Sequence, residues 1–223
     1  MNHRRALVIG STGGIGAALS RALVSQGWHV TGLSRRADGF DITSEQAVIA
    51  GLAPLAPGFD RLIVATGALA LPGAAPEKAL RSLDPAVLAA QFAINAIGPA
   101  LVLKHGLRLV PRDRPVLVAA LSARVGSIGD NRLGGWYSYR AAKAALNQLI
   151  HTAAIEIARS HPLAAIVALH PGTVATGLTE AYRGTHPARP PDAAAHDLLA
   201  VMDRLTAADT GGFFDWKGSP VPW

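Results

Sequence analysis

The chain has 223 residues, half of them apolar, and a formal net charge of +6. This length suits one domain with a complete core. The absence of cysteine excludes disulfide frameworks, cysteine nucleophiles and cysteine-ligated metals, and we expect no metal site. No run reaches the roughly 18 uninterrupted apolar residues of a membrane span, and the N-terminus lacks a signal-peptide core, so we expect a cytoplasmic protein without a membrane partner. The basic residues are scattered, which argues against nucleic-acid binding.

Short apolar runs alternate with helix-like segments. The sequence predicts strands at 6–10, 29–34, 61–65, 116–121 and 165–170, and helices at 15–26, 44–52, 85–110 and 137–160. This alternation is typical of an α/β Rossmann fold, a doubly wound parallel sheet with helices on both faces. We expect one domain of this fold over residues 1–223. Residues 176–192 leave the carboxyl edge of the sheet, where ligands bind, and we interpret them as a substrate lid rather than a surface excursion.

The first predicted strand runs into a glycine-rich turn. Gly10, Gly14 and Gly16 follow the pattern G-x-x-x-G-x-G, and a helix begins at once. Glycine lets the backbone approach a pyrophosphate closely, and the helix N-terminus offers unpaired N–H groups to it. The turn therefore predicts a nucleotide site, with Ser11, Thr12 and Ile15 beside the glycines.

The end of the second strand bears on the choice of cofactor. An acid there bonds the ribose 2′-hydroxyl in NAD sites, whereas this chain has Ser34, Arg35 and Arg36. An arginine pairs with a 2′-phosphate, so the sequence favours NADPH. Asp38 is close enough to keep NADH open.

Tyr139 and Lys143 are spaced one helical turn apart, and Tyr139 alone among the three tyrosines has a lysine four residues on. An ammonium held beside a phenol can lower the pKa of that phenol and make it a usable acid and base. Both residue types are common on solvated helix faces, so the spacing gains weight only beside the nucleotide turn.

These motifs, in this order, resemble the short-chain dehydrogenase/reductase family, and the resemblance covers nearly the whole chain. Besides the glycine turn and Tyr139/Lys143, the matching residues are Asp41 and Ile42 at the adenine, Asn95 in a helix, and Pro171, Gly172, Val174 and Thr176 in a P-G-x-V-x-T segment. The segments 122–127 and 211–223 look most like the branch of C-factor-type signalling proteins and sniffer-type carbonyl reductases.

The resemblance implies an NADPH-dependent oxidoreductase acting on a small carbonyl or alcohol. Tyr139 would protonate the carbonyl oxygen, Lys143 would tune Tyr139 and bind the nicotinamide ribose, and Asn95 would position a water. Ser122 would hold the substrate oxygen, because it ends an apolar strand, although Ser127 is the alternative. A non-catalytic NADP(H)-binding sensor on the same fold is the rival hypothesis.

The sequence also departs from the family pattern. Thr66 and Gly67 stand in the loop after the fourth family strand, which lacks the usual asparagine, and we still expect both to contact the cofactor. Family members pair their two long helices, here 85–110 and 137–160, so we expect a homodimer or homotetramer. The substrate cannot be read from the sequence.

Overall fold

The computed structural model describes residues 4–182 and 188–223. Its centre is a six-stranded, entirely parallel sheet in the order β2-β1-β3-β4-β5-β6. The strands are β1 (Arg5–Ile9), β2 (His29–Leu33), β3 (Arg61–Val64), β4 (Val116–Leu121), β5 (Ala164–His170) and β6 (Phe213–Asp215).

Helices cover both faces of this sheet. They are α1 (Gly14–Ser25), α2 (Arg35–Asp38), α3 (Glu45–Leu52), α4 (Pro85–Phe92), α5 (Gly98–Gly106), α6 (Tyr137–Ile157) and α7 (Pro191–Met202). Alternate residues of β4 and β5 enter two separate cores, one shared with α1 and α7 and the other with α3, α5 and α6. Strands buried on both faces read as continuous apolar runs, as observed here.

The order of the strands creates a switch point between β1 and β3. The chain builds outward from β1 to β2, then returns to β3 on the other side of β1 and continues in the opposite direction. Ligands of open α/β sheets bind outside the carboxyl ends of the strands at such a point. Gly10 follows β1 there, and Thr66 follows β3.

The long apolar stretch Pro85–Leu109 is not one regular helix. Residues Ala93–Ile97 form a π-helical turn between α4 and α5. The stretch is long and apolar enough to cross a membrane, but core helices of non-membrane proteins can have the same length and composition. Here it packs against α6, and its polar residues Gln91 and Asn95 are buried.

The fold class is as the sequence predicts, a parallel α/β sheet covered by helices. Three elements were not predicted: α2, α7 and β6. Pro191 falls in the predicted lid of residues 176–192, yet it is the first residue of α7, where a missing N–H costs nothing. β6 has only three residues, too few to show a period.

Candidate active site

A cavity of about 630 Å³ opens at the carboxyl edge of the sheet. Its floor contains residues that follow β1, β3, β4 and β5, and the N-terminal turn of α6 forms one wall. Ser122, Tyr139 and Lys143 line it together. So do eight of the predicted cofactor residues, namely Gly14, Ile15, Thr66, Gly67, Pro171, Gly172, Val174 and Thr176.

The glycine turn is packed too tightly for side chains. Gly10 has a φ of +87°, and a Cβ on Gly16 would lie 2.2 Å from the Gly10 carbonyl oxygen. A Cβ on Gly14 would lie 2.4 Å from Thr176 Cγ2, so the turn touches the start of the predicted lid. These close contacts leave the N–H groups at the start of α1 open to a phosphate.

Two charged residues that bear on the choice of cofactor, Arg35 and Asp38, follow the end of β2. Ser34 caps α2, and its backbone N–H and hydroxyl both donate to Asp38 Oδ2, at 2.8 and 3.2 Å. The Asp38 carboxylate is therefore folded back onto its own turn. Arg35 is exposed beside it.

The predicted adenine pair, Asp41 and Ile42, follows α2 in the chain. Asp41 accepts hydrogen bonds from the hydroxyl and N–H of Thr43, and these bonds hold the pKa of its carboxyl below the ordinary range. Ile42 is buried, and a Cβ on Gly98 would lie 2.7 Å from its side chain. Ser11 and Thr12 lie in the exposed turn before α1, outside the cavity lining.

Tyr139 and Lys143 are both buried on α6. The Lys143 ammonium donates to the Leu121 carbonyl at 2.9 Å and lies 5.9 Å from the centre of the Tyr139 ring. Burial raises the pKa of Tyr139 and lowers that of Lys143 to about 7. The expected lowering of the phenol pKa by Lys143 is thus outweighed by desolvation, because both apolar environments favour the uncharged form. Tyr139 is a protonated donor at neutral pH.

Asn95 lies at the centre of the π turn and is fully buried. Its side-chain amide makes two hydrogen bonds with the backbone of Ala68, accepting from the N–H at 3.1 Å and donating to the carbonyl at 2.9 Å. It also donates to Gln91 Oε1 at 2.6 Å, and Gln91 in turn donates to the Leu69 carbonyl. Asn95 therefore fixes the loop after β3, and a Cβ on Gly67 would lie 3.0 Å from Asn95 Oδ1 and 3.4 Å from Lys143 Nζ.

The two candidate serines are both engaged by the protein. The Ser122 hydroxyl donates to Asn147 Oδ1 at 2.6 Å, while the Asn147 amide donates to the Gly126 carbonyl at 3.3 Å. The Ser127 hydroxyl donates to the Pro222 carbonyl and accepts from the Asp130 N–H at 3.1 Å. Ser127 anchors the C-terminal segment and is absent from the cavity lining, whereas Ser122 is part of it.

His170 also lines the cavity, at the end of β5. It is the last residue of the predicted strand 165–170. Its Nδ1 is buried and has no hydrogen-bond partner among the described residues. Burial and the nearby charge of Arg124 lower the pKa of His170 to about 4 against the opposing effect of Asp215, so the imidazole is neutral at pH 7.

Glu77 is a site residue that the sequence interpretation missed. It is buried, its carboxylate accepts hydrogen bonds from the N–H and hydroxyl of Ser138, and its carbonyl accepts from the Trp136 N–H at 2.5 Å. Trp136 has a φ of +52°, alone among the described non-glycine residues, and its ring meets Tyr139 edge-on. Glu77 therefore caps the helix that carries Tyr139. No motif marks it, because it stands alone in a loop.

Only the two ends of the predicted lid, residues 176–192, are described, because residues 183–187 lie outside the described part of the chain. Thr176, Leu178 and Thr179 line the cavity. The far end begins α7 at Pro191, so the last two residues of the predicted lid belong to that helix.

The chain is similar to a known protein family and to several characterised proteins. A family model described as enoyl-(acyl carrier protein) reductase matches residues 9–209. The 1-hydroxy-2-glutathionyl-2-methyl-3-butene dehydrogenase of Rhodococcus sp. strain AD45 is 33% identical, with 97% of this chain and 98% of that protein covered. C-signal of Myxococcus xanthus is 34% identical, with 65% of this chain and 84% of that protein covered.

Solved structures agree. A Burkholderia multivorans protein of short-chain dehydrogenase/reductase type with bound NADP has a TM-score of 0.82 and 25% identity, covering 99% of this chain and 100% of that one. The carbonyl reductase Sniffer of Drosophila melanogaster has a TM-score of 0.83, 19% identity and full coverage of both chains. The chain belongs to the short-chain dehydrogenase/reductase family of oxidoreductases.

Proposed function

We propose that this protein is an NADPH-dependent carbonyl reductase that also runs in reverse as an alcohol dehydrogenase. The main observation behind the proposal is that Tyr139 and Lys143 lie side by side in the wall of the cavity that the glycine turn also lines. A proton donor, a cation and a nucleotide cradle around one cavity are what hydride transfer to a carbonyl requires.

The residues present fit the cofactor. The packed glycine turn is a cradle that any Cβ would fill, and Thr66 Oγ1 is a buried hydroxyl without a partner among the described residues. The N–H groups at the start of α1 would take the pyrophosphate, and the segment of Pro171, Gly172, Val174 and Thr176 would hold the nicotinamide end. NADPH, when bound, supplies the hydride for the carbonyl carbon.

The protein's part is to hold and protonate the carbonyl group. Tyr139 is protonated at neutral pH and gives its phenolic proton to the carbonyl oxygen as charge develops there. Lys143, with a pKa of about 7, returns a proton to the phenolate that is left. Asn95 fixes the loop that carries Gly67 beside Lys143 and so keeps this side of the site in place.

We assign NADPH rather than NADH as the preferred cofactor. Arg35 is exposed at the end of β2, and each of the two nearby acids accepts hydrogen bonds from a neighbour, Asp38 from Ser34 and Asp41 from Thr43. An uncommitted guanidinium with no free carboxylate beside it favours a 2′-phosphate. The bound NADP of the Burkholderia protein supports this assignment.

We also propose that the protein assembles as a homodimer or homotetramer through the helical layer of α4, α5 and α6. Ile97, Leu149 and Ile155 are 49%, 40% and 57% exposed on this layer. Large apolar side chains exposed on long packed helices are typical of an interface between copies.

The first test is the variant Tyr139→Phe, which removes only the proton donor. We expect wild-type protein to oxidise NADPH with at least one of a panel of aromatic aldehydes, aliphatic ketones and diketones. Tyr139→Phe should lose roughly 10²-fold or more of kcat, the larger part of a general-acid contribution, and keep its NADPH dissociation constant within about twofold. Absorbance at 340 nm and NADPH fluorescence measure the two quantities.

Tyr137→Phe is the matched control, because Tyr137 lies two residues before Tyr139 on the same helix and does not line the cavity. A fully active Tyr139→Phe protein would refute the proposal. Tight NADPH binding with no turnover of any carbonyl in the wild type would favour the NADP(H)-binding sensor instead.

A further inference from the structure

The hydroxyl expected to hold the substrate oxygen is already committed inside the protein. Asn147 donates its amide N–H to the Gly126 carbonyl, which leaves its Oδ1 as the acceptor for the single O–H of Ser122. Ala123, the next cavity residue, has only a methyl group. A carbonyl oxygen that gains charge needs a preorganised donor besides the acid, and the side chains of residues 122 and 123 offer none that is free.

His170 stands next to Ser122 in the sheet. β4 and β5 run in register with Leu121 opposite Leu169, and the Ser122 N–H donates to the Leu169 carbonyl at 2.8 Å. Even-numbered residues of both strands, such as Ala120 and Ala168, enter the core that α6 covers. Side chains alternate along a strand, so the following even-numbered residues, Ser122 and His170, lie on the face that bears Tyr139.

The imidazole has the chemistry that the position needs. A neutral imidazole carries one N–H donor, and low pKa keeps His170 neutral. It makes no hydrogen bond to a described residue, and its buried Nδ1 has no partner among them. Leaving a buried polar group unpaired is unfavourable, and a bound ligand can supply the missing partner.

We propose that His170 donates the second hydrogen bond to the carbonyl oxygen of the substrate, beside Tyr139, in the role predicted for Ser122. Ser122 instead holds Asn147 and so fixes α6 against β4. This inference rests on the proposed reductase function. Tyr139 remains the proton donor, and His170 stabilises the developing negative charge without giving up its own proton.

Thr66 is the competing candidate, since its hydroxyl is also buried and unpartnered among the described residues. Its methyl group faces the glycine turn, because a Cβ on Gly10 would lie 3.0 Å from Thr66 Cγ2. Thr66 therefore belongs to the phosphate side of the cavity. Its loss should weaken NADPH binding, whereas loss of His170 should slow turnover.

The experiment compares His170→Leu, His170→Gln, Ser122→Ala and Thr66→Val with the carbonyl that the wild type reduces fastest. We expect His170→Leu to lose roughly 10²-fold of kcat, the usual effect of removing one oxyanion donor, with the NADPH dissociation constant unchanged within about twofold. His170→Gln, which keeps an N–H donor, should recover roughly tenfold of that loss. Ser122→Ala should lose less than His170→Leu, and Thr66→Val should raise the NADPH dissociation constant.

His196→Ala is the matched control, because that histidine side chain is 80% exposed on α7 and should leave all constants unchanged. If His170→Leu does not bind NADPH, His170→Met replaces it. An equal or larger loss in Ser122→Ala than in the apolar His170 variant would overturn the inference, as would no recovery in His170→Gln. An inactive Tyr139→Phe beside a fully active His170→Leu would remove this inference alone, whereas a wild type without any reductase activity would remove the proposed function with it.

Discussion

Two predictions concern single side chains, Arg35 for the choice of cofactor and His170 for stability in acid. For the cofactor, Arg35→Ala removes the guanidinium that we propose pairs with the 2′-phosphate. A hydrogen bond to a charged group contributes about 1.5–3 kcal/mol, so the NADPH dissociation constant should rise roughly tenfold or more. The NADH dissociation constant should stay within about twofold, and fluorescence titration measures both.

Arg81→Ala is the control for this change, since Arg81 is exposed in a short helical turn away from the glycine turn. Equal weakening of NADPH and NADH would show that Arg35 does not read the 2′-phosphate.

His170 should also make the protein sensitive to acid. Its pKa of about 4 lies below the ordinary 6.5, so the unfolded chain binds more protons than the folded one between these values, and stability falls as the pH falls through that window. The loss attributable to His170 is about 2 kcal/mol at pH 5. His170→Gln should therefore gain about 2 kcal/mol in unfolding free energy relative to wild type between pH 7 and pH 5, measured by urea denaturation. A constant difference between the two proteins would contradict the partly buried, neutral imidazole.

The sequence identifies residues of the site by type and spacing but cannot assign their hydrogen bonds. Tyr139 and Lys143 are recognisable because one helical turn relates them. The Ser122 hydroxyl donates its hydrogen bond to Asn147, 25 residues further on. This bond depends on how α6 packs against the end of β4. Burial raises the Tyr139 pKa for the same reason, since desolvation follows from tertiary packing that spacing does not reveal.

At the scale of elements, α6 is the helix on which the site depends, and Glu77 holds its first turn. A carboxylate at a helix N-terminus is favoured by the helix dipole and by unpaired N–H groups. Burial alone would raise the pKa of Glu77, but its hydrogen bonds with Ser138 bring it below the ordinary value. The stabilisation is therefore present above pH ~4.5 and is lost as the pH falls through the lowered pKa.

Glu77→Ala should destabilise the protein by about 1–3 kcal/mol, because it leaves the Ser138 N–H buried and unpaired. It should also lower kcat more than it raises the NADPH dissociation constant, since Tyr139 follows Ser138. Glu77→Gln keeps an acceptor and should restore part of both, as urea denaturation and initial rates would show. Glu156→Ala, an exposed acid on the same helix, is the control. A stable Glu77→Ala protein with normal kcat would contradict the capping role.

Elements with a long apolar run could be predicted from the sequence. Short elements that depend on pairing or capping by other residues could not. β4 was predicted at its observed bounds, because six buried apolar residues in a row need no partner to be recognised. β6 exists because Phe213–Asp215 pairs with the end of β5, and α2 because Ser34 and Asp38 cap each other. The Glu77 cap is of the same kind, since it joins residues about 60 positions apart.

At the scale of the whole molecule, the exposed apolar layer of α4, α5 and α6 should be covered by a second copy. Light scattering at micromolar concentration should give at least twice the mass of the chain. Leu149→Arg and Ile97→Arg should each lower it to the monomer mass, because a buried charge at an interface is costly. Val24→Arg, a change at a 59% exposed apolar residue on α1, should leave the assembly intact. A monomeric wild type would contradict the prediction.

The π turn at Ala93–Ile97 makes this region sensitive to chain length. Such a turn contains one residue more than an α-helical turn, and each residue of a helix advances the chain by about 100° around the axis. Losing one residue here would let α4 and α5 fuse into a regular helix and would swing Asn95 or all of α5 away from its present direction. Insertions and deletions, which loops tolerate, should therefore be rejected here, even where exchange of the exposed Ile97 for another apolar residue is accepted.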